Sequence, residues 1–232
     1  MKNVLCIIPA RSGSKELKNK NIRLLENIPL LMYPFNVAKK VNYINDIAIS
    51  SDTNKYLNLF KDSKIIKILR PKKLASSKSK IIDVVNHAIN KINKYYEYII
   101  LLEPTSPLTS YLELRNAFKF FIKNRKKFDF LVSVVSIPKY HSSYTIKLDK
   151  EKKLKINNFP KNTNRQKLKK EFFLSGNFYI AKTKKLLKNK NWISNRTYGY
   201  EIKKSIHTDI DNIKDFIFAQ AILKNGLFKK IK

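Results

Sequence analysis

Short apolar runs alternate with longer amphipathic stretches along most of the chain. The first run, Val4 to Pro9 (VLCIIP), has no polar position, which is typical of a strand buried on both faces. Similar runs predict strands at 47–50, 65–69, 98–102, 130–135, 173–181 and 206–210. Apolar residues at helical spacing predict helices at 29–41, 81–96, 112–122 and 212–223, the last capped by Asn212. This alternation predicts an α/β fold in which helices flank a mostly parallel central sheet.

The pattern changes between residues 139 and 170, where the chain is polar, rich in lysine and only weakly periodic. We expect a polar arm or insertion here rather than a second domain. The strand and helix pattern returns after it, and 232 residues suit one compact domain. The sequence therefore predicts a single domain over residues 1–232 with a small excursion at 139–170.

The chain is strongly basic. It carries 49 Lys and Arg against 17 Asp and Glu, a net charge of +32 that would suit a polyanionic partner. Nearly all of the excess is lysine, which is abundant together with asparagine and isoleucine, as an AT-rich coding sequence would produce. No groove-entering element of a sequence-specific DNA reader is evident. We therefore expect no specific nucleic-acid partner, and a basic nucleic-acid-binding protein remains the alternative of a different class.

Cysteine and histidine usage excludes several kinds of site. The single cysteine, Cys6, excludes an internal disulfide framework and a multi-cysteine zinc site. Cys6 falls in a predicted buried strand and His207 has no evident partner, so we expect structural roles for both. The longest apolar runs have only strand length, and the N-terminus lacks the pattern of a signal peptide. We expect a cytoplasmic protein with no membrane partner.

A polar loop rich in small and basic residues follows the first predicted strand. Gly13 and its serine neighbours would let the backbone approach a ligand closely, and successive N–H groups of such a loop can bind an anion. Arg11, Lys15 and Lys20 add the positive charge that a nucleoside triphosphate requires. The loop is not a Walker A motif, and a solvated lysine-rich loop is an equally good interpretation of this segment alone.

Two aspartates, Asp209 and Asp211, flank Ile210 near the end of the chain. Strand alternation would place both carboxylates on one face and Ile210 in the core. Paired carboxylates suit Mg²⁺, which also binds substrate phosphates. The alternative is that Asp211 caps the last helix and Asp209 pairs with a lysine.

The segment Glu103 to Leu108 (EPTSPL) follows the fourth predicted strand. Its two prolines fix a rigid turn, and hydroxyl groups on such a turn can bond a sugar or a base. A plain connection between a strand and a helix fits the pattern equally well.

Six segments spread along the chain carry a family resemblance. They are IIPARSGSKELKNKNI, LRPKKLAS, LLEPTSPL, NRQ, SGNFYI and HTDIDNIKDF. Their order and spacing resemble the acylneuraminate cytidylyltransferase family, the CMP-sialic acid synthetases, over essentially the whole chain. The combination is far more specific than any one segment.

The resemblance implies a Rossmann-like nucleotidyltransferase fold and a homodimer that shares a swapped arm. It implies transfer of CMP from CTP to an acidic nine-carbon sugar, with release of pyrophosphate and with Mg²⁺ as cofactor. The positions matching the nucleotide side are Arg11, Ser12, Gly13, Lys15, Lys20, Asn21 and Arg70. Those matching the sugar side are Glu103, Thr105, Ser106, Arg165, Gln166 and Tyr179. Asp209 and Asp211 match the metal ligands, and the resemblance gives Arg11, Lys20 and Asp211 the catalytic roles.

Five positions depart from the family pattern. Glu16 replaces the usual Gly, Ser77 an Asp, Glu103 a Gln, Thr109 an Arg and Ser175 an Asn. Glu103 therefore adds negative charge beside a sugar that is itself an anion. Which nine-carbon sugar is used stays open. CMP transfer to 3-deoxy-octulosonate is the near alternative, because such an enzyme would share the sheet, the aspartate pair and CTP.

Overall fold

The computed structural model describes residues 3–14, 16–136, 141–155 and 168–228. Within them the strands are β1 (Val4–Ala10), β2 (Leu24–Leu25), β3 (Ile28–Pro29), β4 (Asp46–Ser51), β5 (Ile66–Leu69), β6 (Tyr98–Leu101), β7 (Phe130–Ser136), β8 (Lys147–Leu148), β9 (Leu154–Lys155), β10 (Phe172–Lys182) and β11 (Thr197–Glu201). The α-helices there are α1 (Met32–Lys39), α2 (Asn54–Leu57), α3 (Ile81–Lys91), α4 (Tyr111–Lys123), α5 (Thr183–Asn189) and α6 (Ile213–Lys224).

A central sheet of seven strands has the order β11-β7-β10-β6-β1-β4-β5. β10 runs antiparallel to its neighbours β6 and β7, and every other adjacent pair is parallel. The predicted mostly parallel sheet is therefore confirmed. Because parallel strands end at the same edge, the loops that follow β1, β4, β5 and β6 meet at one rim of the sheet.

Helices cover both faces of this sheet. Cys6 and Ile8 of β1 lie in a core shared with α1 and α4, whereas Leu5 and Ile7 lie in a core shared with α3 and α5. These side chains are fully buried, which explains the unbroken apolar run at the start of the sequence. Cys6 is thus a core residue, and burial raises the pKa of its thiol far above the usual value.

Two predicted helices are shorter than their apolar pattern. The predicted helix 29–41 begins only at Met32, because Pro29 pairs with Leu24 in the β2–β3 hairpin. The predicted helix 81–96 ends at Lys91, because Ile92 has an extended backbone. Tyr96 is still buried, but its hydroxyl donates to Asp46 at 2.8 Å from outside the helix.

The predicted strand at 206–210 is wrong. Ile206 and Ile210 donate their N–H groups to the carbonyl oxygens of Leu108 and Thr105, at 3.1 and 2.9 Å. The segment therefore binds the loop after β6 instead of a strand. α6 follows with the predicted cap, because the Asn212 side chain accepts from Lys214 and Asp215. The sequence pattern missed α2, α5 and β11, and β11 forms one edge of the sheet.

Residues 137–171 connect β7 to β10. Their described part contains a short turn at Ser142–Tyr144 and the β8–β9 hairpin. Glu171 accepts from the backbone N–H of Ser142 at 2.7 Å, and a ring nitrogen of His141 lies 2.8 Å from the carbonyl oxygen of Lys169. The two ends of the excursion are thus tied together, and its role as an arm stays a prediction. No helix in the described part of the chain has the length and apolarity of a membrane span.

Candidate active site

A cleft of about 330 Å³ opens where the parallel strands end. Arg11 follows β1, Arg70 follows β5 and Glu103 follows β6, and all three line it. Asp209 and Asp211 enter from the irregular segment before α6. Side chains far apart in sequence therefore form one site with charges of both signs.

Hydrogen bonds hold the loop after β1 at the cleft. The amide of Asn21 donates to the carbonyl oxygen of Arg11 at 2.9 Å. The N–H and hydroxyl of Ser12 donate to the carboxylate of Asp52 at 2.8 and 2.6 Å. Burial alone would raise the pKa of Asp52, but these bonds and the charge of Arg70 hold that pKa below its usual value. Asp52 is therefore an ionised anchor for the loop.

Lys20 joins this loop to the aspartate pair. Its ammonium donates to the carbonyl oxygen of Ile210 at 2.6 Å and to the carboxylate of Asp211 at 2.9 Å. The Lys20 side chain is 12% exposed and that of Asp211 is 62% exposed. Because Asp211 keeps most of its surface open, its carboxylate still has an oxygen free for a ligand.

Asp209 lies beside Asp211 with its own partner. It accepts a hydrogen bond from the Thr105 hydroxyl. Loss of water around its carboxyl group and the charge of Asp211 raise the pKa of Asp209, against the opposing effects of Thr105 and Lys20. The two neighbouring carboxylates repel each other, and a cation bound between them would relieve this repulsion.

Glu103 brings a third carboxyl group to the cleft. Burial, then the charges of Asp209 and Asp211, raise the pKa of Glu103 to about 7, with Lys20 opposing. Near neutral pH this group is close to half protonated. Tyr179 lies nearby, since burial and then the charges of Glu103 and Asp209 raise the pKa of its hydroxyl. The centroid of the Tyr179 ring lies 5.5 Å from that of the Trp192 ring, so the two rings pack against each other.

Arg70 forms the opposite wall of the cleft. It is 4% exposed, and its Nε and Nη1 have no hydrogen-bond partner within the described residues. Burial lowers the pKa of Arg70, an effect that Asp52 opposes. Unpartnered donors on a buried guanidinium indicate a ligand that accepts from them. The serines lining the same wall are Ser76, Ser77 and Ser79.

The aspartate pair is the part of the cleft that could hold the expected Mg²⁺ ion. In the described residues, no group of three or more His, Cys, Asp or Glu side chains is placed to hold a metal ion by itself. Asp209 and Asp211 fit instead a Mg²⁺ ion that takes its other ligands from substrate phosphates and water. Arg11 and Lys20 in the same cleft suit those phosphates.

Most of the predicted site residues meet in this cleft. Those that line it are Arg11, Lys20, Asn21, Arg70, Glu103, Thr105, Asp209 and Asp211. Ser12 is bound to Asp52, and Gly13 lies in open space with no atom within 4 Å of an added Cβ. Ser106 is 1% exposed and lies against Gly176, and its hydroxyl has no hydrogen-bond partner among the described residues, so its contact with a sugar stays a prediction. Lys15, Arg165 and Gln166 lie outside the described residues.

Asp52 is the main residue that the sequence reasoning missed. It comes directly after β4, at the same rim as the other loops. The rule that ligands bind beyond the carboxyl ends of parallel strands would have selected it, together with Arg11 and Glu103.

A family model described as "Cytidylyltransferase" matches residues 5–228. The chain is 27% identical to an N-acylneuraminate cytidylyltransferase of Streptococcus agalactiae over 215 residues, which are 92% of this chain and 51% of that protein. It is 28% identical to a pseudaminic acid cytidylyltransferase of Campylobacter jejuni over 228 residues, which are 97% of each. The chain thus spans about half the length of the first group of relatives and nearly all of the second.

One solved structure has the same arrangement of elements. It is a CMP:2-keto-3-deoxy-manno-octonic acid synthetase complexed with CTP, which aligns with 97% of this chain and 99% of its own, with a TM-score of 0.71 and 12% identity. At this identity the likeness shows the fold, and it confirms the expected Rossmann-like nucleotidyltransferase architecture.

Proposed function

This chain belongs to the cytidylyltransferase family, and from that premise we propose that it transfers CMP from CTP to an acidic nine-carbon sugar and releases pyrophosphate. One observation carries the proposal: a single cleft holds the cations Arg11, Lys20 and Arg70 together with the aspartate pair. Cations suit a triphosphate, and the aspartates suit the ion that accompanies it.

The nucleotide would occupy the side of the cleft formed by β1, β4 and β5. Arg11 and Lys20 would bind the β- and γ-phosphates and stabilise the charge that develops on departing pyrophosphate. The unpartnered nitrogens of Arg70 would donate to the nucleoside end. Asn21 is 5% exposed and bound to the Arg11 carbonyl, so it would hold the loop in place.

Asp209 and Asp211 would hold Mg²⁺, whose charge would offset that of the phosphates and favour attack at the α-phosphorus. The sugar hydroxyl would give up its proton to water as its oxygen bonds to that phosphorus, while the bond from the phosphorus to the bridging oxygen breaks and pyrophosphate leaves. Thr105 keeps Asp209 in place through its hydroxyl group.

The sugar would lie beside Glu103 and Tyr179, next to the aspartates. In its protonated form, which burial favours, Glu103 can donate a hydrogen bond to an acidic sugar as well as accept one, which an ionised carboxylate cannot do. A carboxyl group at this position is therefore compatible with an anionic acceptor near neutral pH.

We also propose a homodimer, formed where β10 begins. Phe172, Phe173 and Leu174 are 45%, 54% and 46% exposed there, which is unusual for three consecutive large apolar residues. A second copy would cover them. Because CTP is a cytoplasmic nucleotide, we place the enzyme in the cytoplasm, and its CMP-sugar would serve glycosyl transfer into cell-surface polysaccharide.

Pyrophosphate release tests the proposed function. The assay combines the protein, CTP and Mg²⁺ with N-acetylneuraminic, legionaminic and pseudaminic acids and with 3-deoxy-octulosonate, and ATP, GTP and UTP serve as controls. Release with CTP and one nine-carbon acid is the expected result. Release with 3-deoxy-octulosonate alone would move the assignment to that sugar. Salt-sensitive DNA binding without turnover of CTP would favour the nucleic-acid alternative instead.

A further inference from the structure

The segment 202–211 carries both site aspartates although it belongs to no strand or helix. Its middle and end are bound to the loop after β6, through Ile206 to Leu108 and Ile210 to Thr105. At its other end, Ile202 donates to the carbonyl oxygen of Val134 at 2.9 Å, but the N–H groups of residues 203–205 lie beyond this bond and need other acceptors.

Glu113 supplies that anchor from the first turn of α4. Its side chain is nearly inaccessible, with the residue 3% exposed. Its carboxylate accepts from the backbone N–H groups of Lys203, Lys204 and Ser205, the last at 2.6 Å. The N-terminus of the helix also favours a negative charge at this position.

Ser205 also accepts a hydrogen bond from the N-terminal end of α4. Its hydroxyl oxygen accepts the N–H of Ser110, the residue that precedes α4, at 3.0 Å. In a capping box, an N-cap side chain and a glutamate three residues later exchange such bonds within one helix. Here the glutamate accepts from the distant segment instead, and Ser205 of that segment accepts the N-cap N–H, so the two sets of bonds fasten the segment to the end of α4.

We propose that Glu113 is a positioning residue for the active site, because its carboxylate fixes the backbone four residues before Asp209 and thereby sets the place of Asp209 and Asp211 in the cleft. The inference rests on the proposed function, in which these aspartates hold the metal. Glu113 itself does not line the cleft.

The test compares Glu113→Gln with Asp129→Asn. Asp129 is a matched control, because it is also a buried carboxyl group, but it binds Lys182 and Arg196 at the far end of the sheet. Affinity for Mn²⁺ in the presence of CTP is measured by electron paramagnetic resonance, and hydrogen exchange is followed in the peptide 203–211. Turnover of CTP is recorded separately.

In Glu113→Gln we expect Mn²⁺ affinity to fall about tenfold or more, as for other groups that orient metal ligands. Exchange of 203–211 should accelerate by a factor of about 5–30, which corresponds to the loss of one or two kcal/mol of local stability. Asp129→Asn should change neither quantity. If Glu113→Gln does not fold, Ser205→Ala replaces it as the test variant. It should lower Mn²⁺ affinity and accelerate exchange of 203–211, each by a smaller factor.

Unchanged Mn²⁺ affinity in Glu113→Gln overturns the proposal, even where exchange is faster, because the anchor would then be merely structural. An equal loss in Asp129→Asn, or no Mn²⁺ binding by the unmodified protein, overturns it too. Absence of pyrophosphate release with every sugar tests a different point: it would refute the proposed reaction while Mn²⁺ affinity still decides the role of Glu113.

Discussion

Replacing Glu103 by Gln removes one negative charge from a cluster of three carboxyl groups. Burial and the two aspartates raise the pKa of Glu103 from 4.5 to about 7 in the folded protein. The native state therefore binds this proton more tightly than the unfolded chain does. Its stability falls as pH rises from 4.5 towards 7, and the full cost of the charge is present above pH 7.

The size of this cost follows from the two pKa values. At about 1.4 kcal/mol per pH unit, the rise in the pKa of Glu103 from 4.5 to about 7 corresponds to at most about 3.5 kcal/mol. Because Glu103 keeps some contact with water, screening reduces the expected cost to about 1–2 kcal/mol. For a chain of this length, that amount changes Tm by about 2–8 °C.

Glu103→Gln should therefore melt about 2–8 °C above the unmodified protein at pH 8.5, with much of that difference gone at pH 5. Differential scanning calorimetry in the presence of a chelator measures this, since a cation at the aspartates would mask the repulsion. Glu151→Gln is the matched control, because Glu151 is an exposed carboxylate paired with Lys153. An equal gain in Tm for Glu103→Gln at both pH values would refute the electrostatic reasoning.

Three further predictions concern the proposed metal ligands, a buried carboxylate and the proposed dimer. Asp211→Ala should lower kcat for pyrophosphate release at least about tenfold in steady-state kinetics, and an unchanged kcat would contradict the assignment. Burial alone would raise the pKa of Asp129, but hydrogen bonds from Lys182 and Arg196 hold that pKa below its usual value, so this stabilisation is lost as pH falls through the native pKa. Asp129→Asn should accordingly cost about 1–3 kcal/mol at pH 7 in urea unfolding and much less at pH 3; an equal cost at both values would argue against the pair. Phe173→Glu should yield a monomer in sedimentation velocity, and a monomeric unmodified protein would disprove the dimer.

The buried strands were the most predictable part of the fold. β1 is apolar throughout because both of its faces are covered by helices, and this leaves a clear signal in the sequence. β11 was missed because its alternate residues Tyr198 and Tyr200 are only half-buried at the edge of the sheet. Its polar neighbours make the run look like a loop.

The sequence predicted which residues belong to the candidate site, but not the hydrogen bonds and tertiary contacts that they make. Arg11 follows β1, so strand-end reasoning finds it, whereas Asp209 was found as one of an acidic pair and not through the predicted strand, which is absent. Ser12 and Ser106 have the same kind of side chain as a binding residue, but one is bound to Asp52 and the other is buried beside Gly176. Only tertiary contacts show which hydroxyl groups are bound within the protein: that of Ser12 donates to Asp52, whereas that of Ser106 has no partner among the described residues. The anchor at Glu113 joins residues about ninety positions apart and has no local pattern at all.

The reversed direction of β10 has a consequence for how this protein can diversify. Ser136 at the end of β7 pairs with Phe172 at the start of β10, so the connection between them leaves and re-enters the sheet at the rim that holds the cleft. Its length and sequence can therefore change without any strand being displaced, as insertions in surface connections generally can. The strands β1, β4 and β5 on the proposed nucleotide side do not adjoin β7 or β10, the strands that flank it. Selection can thus adjust the proposed acceptor side of the molecule while the proposed CTP side stays constant.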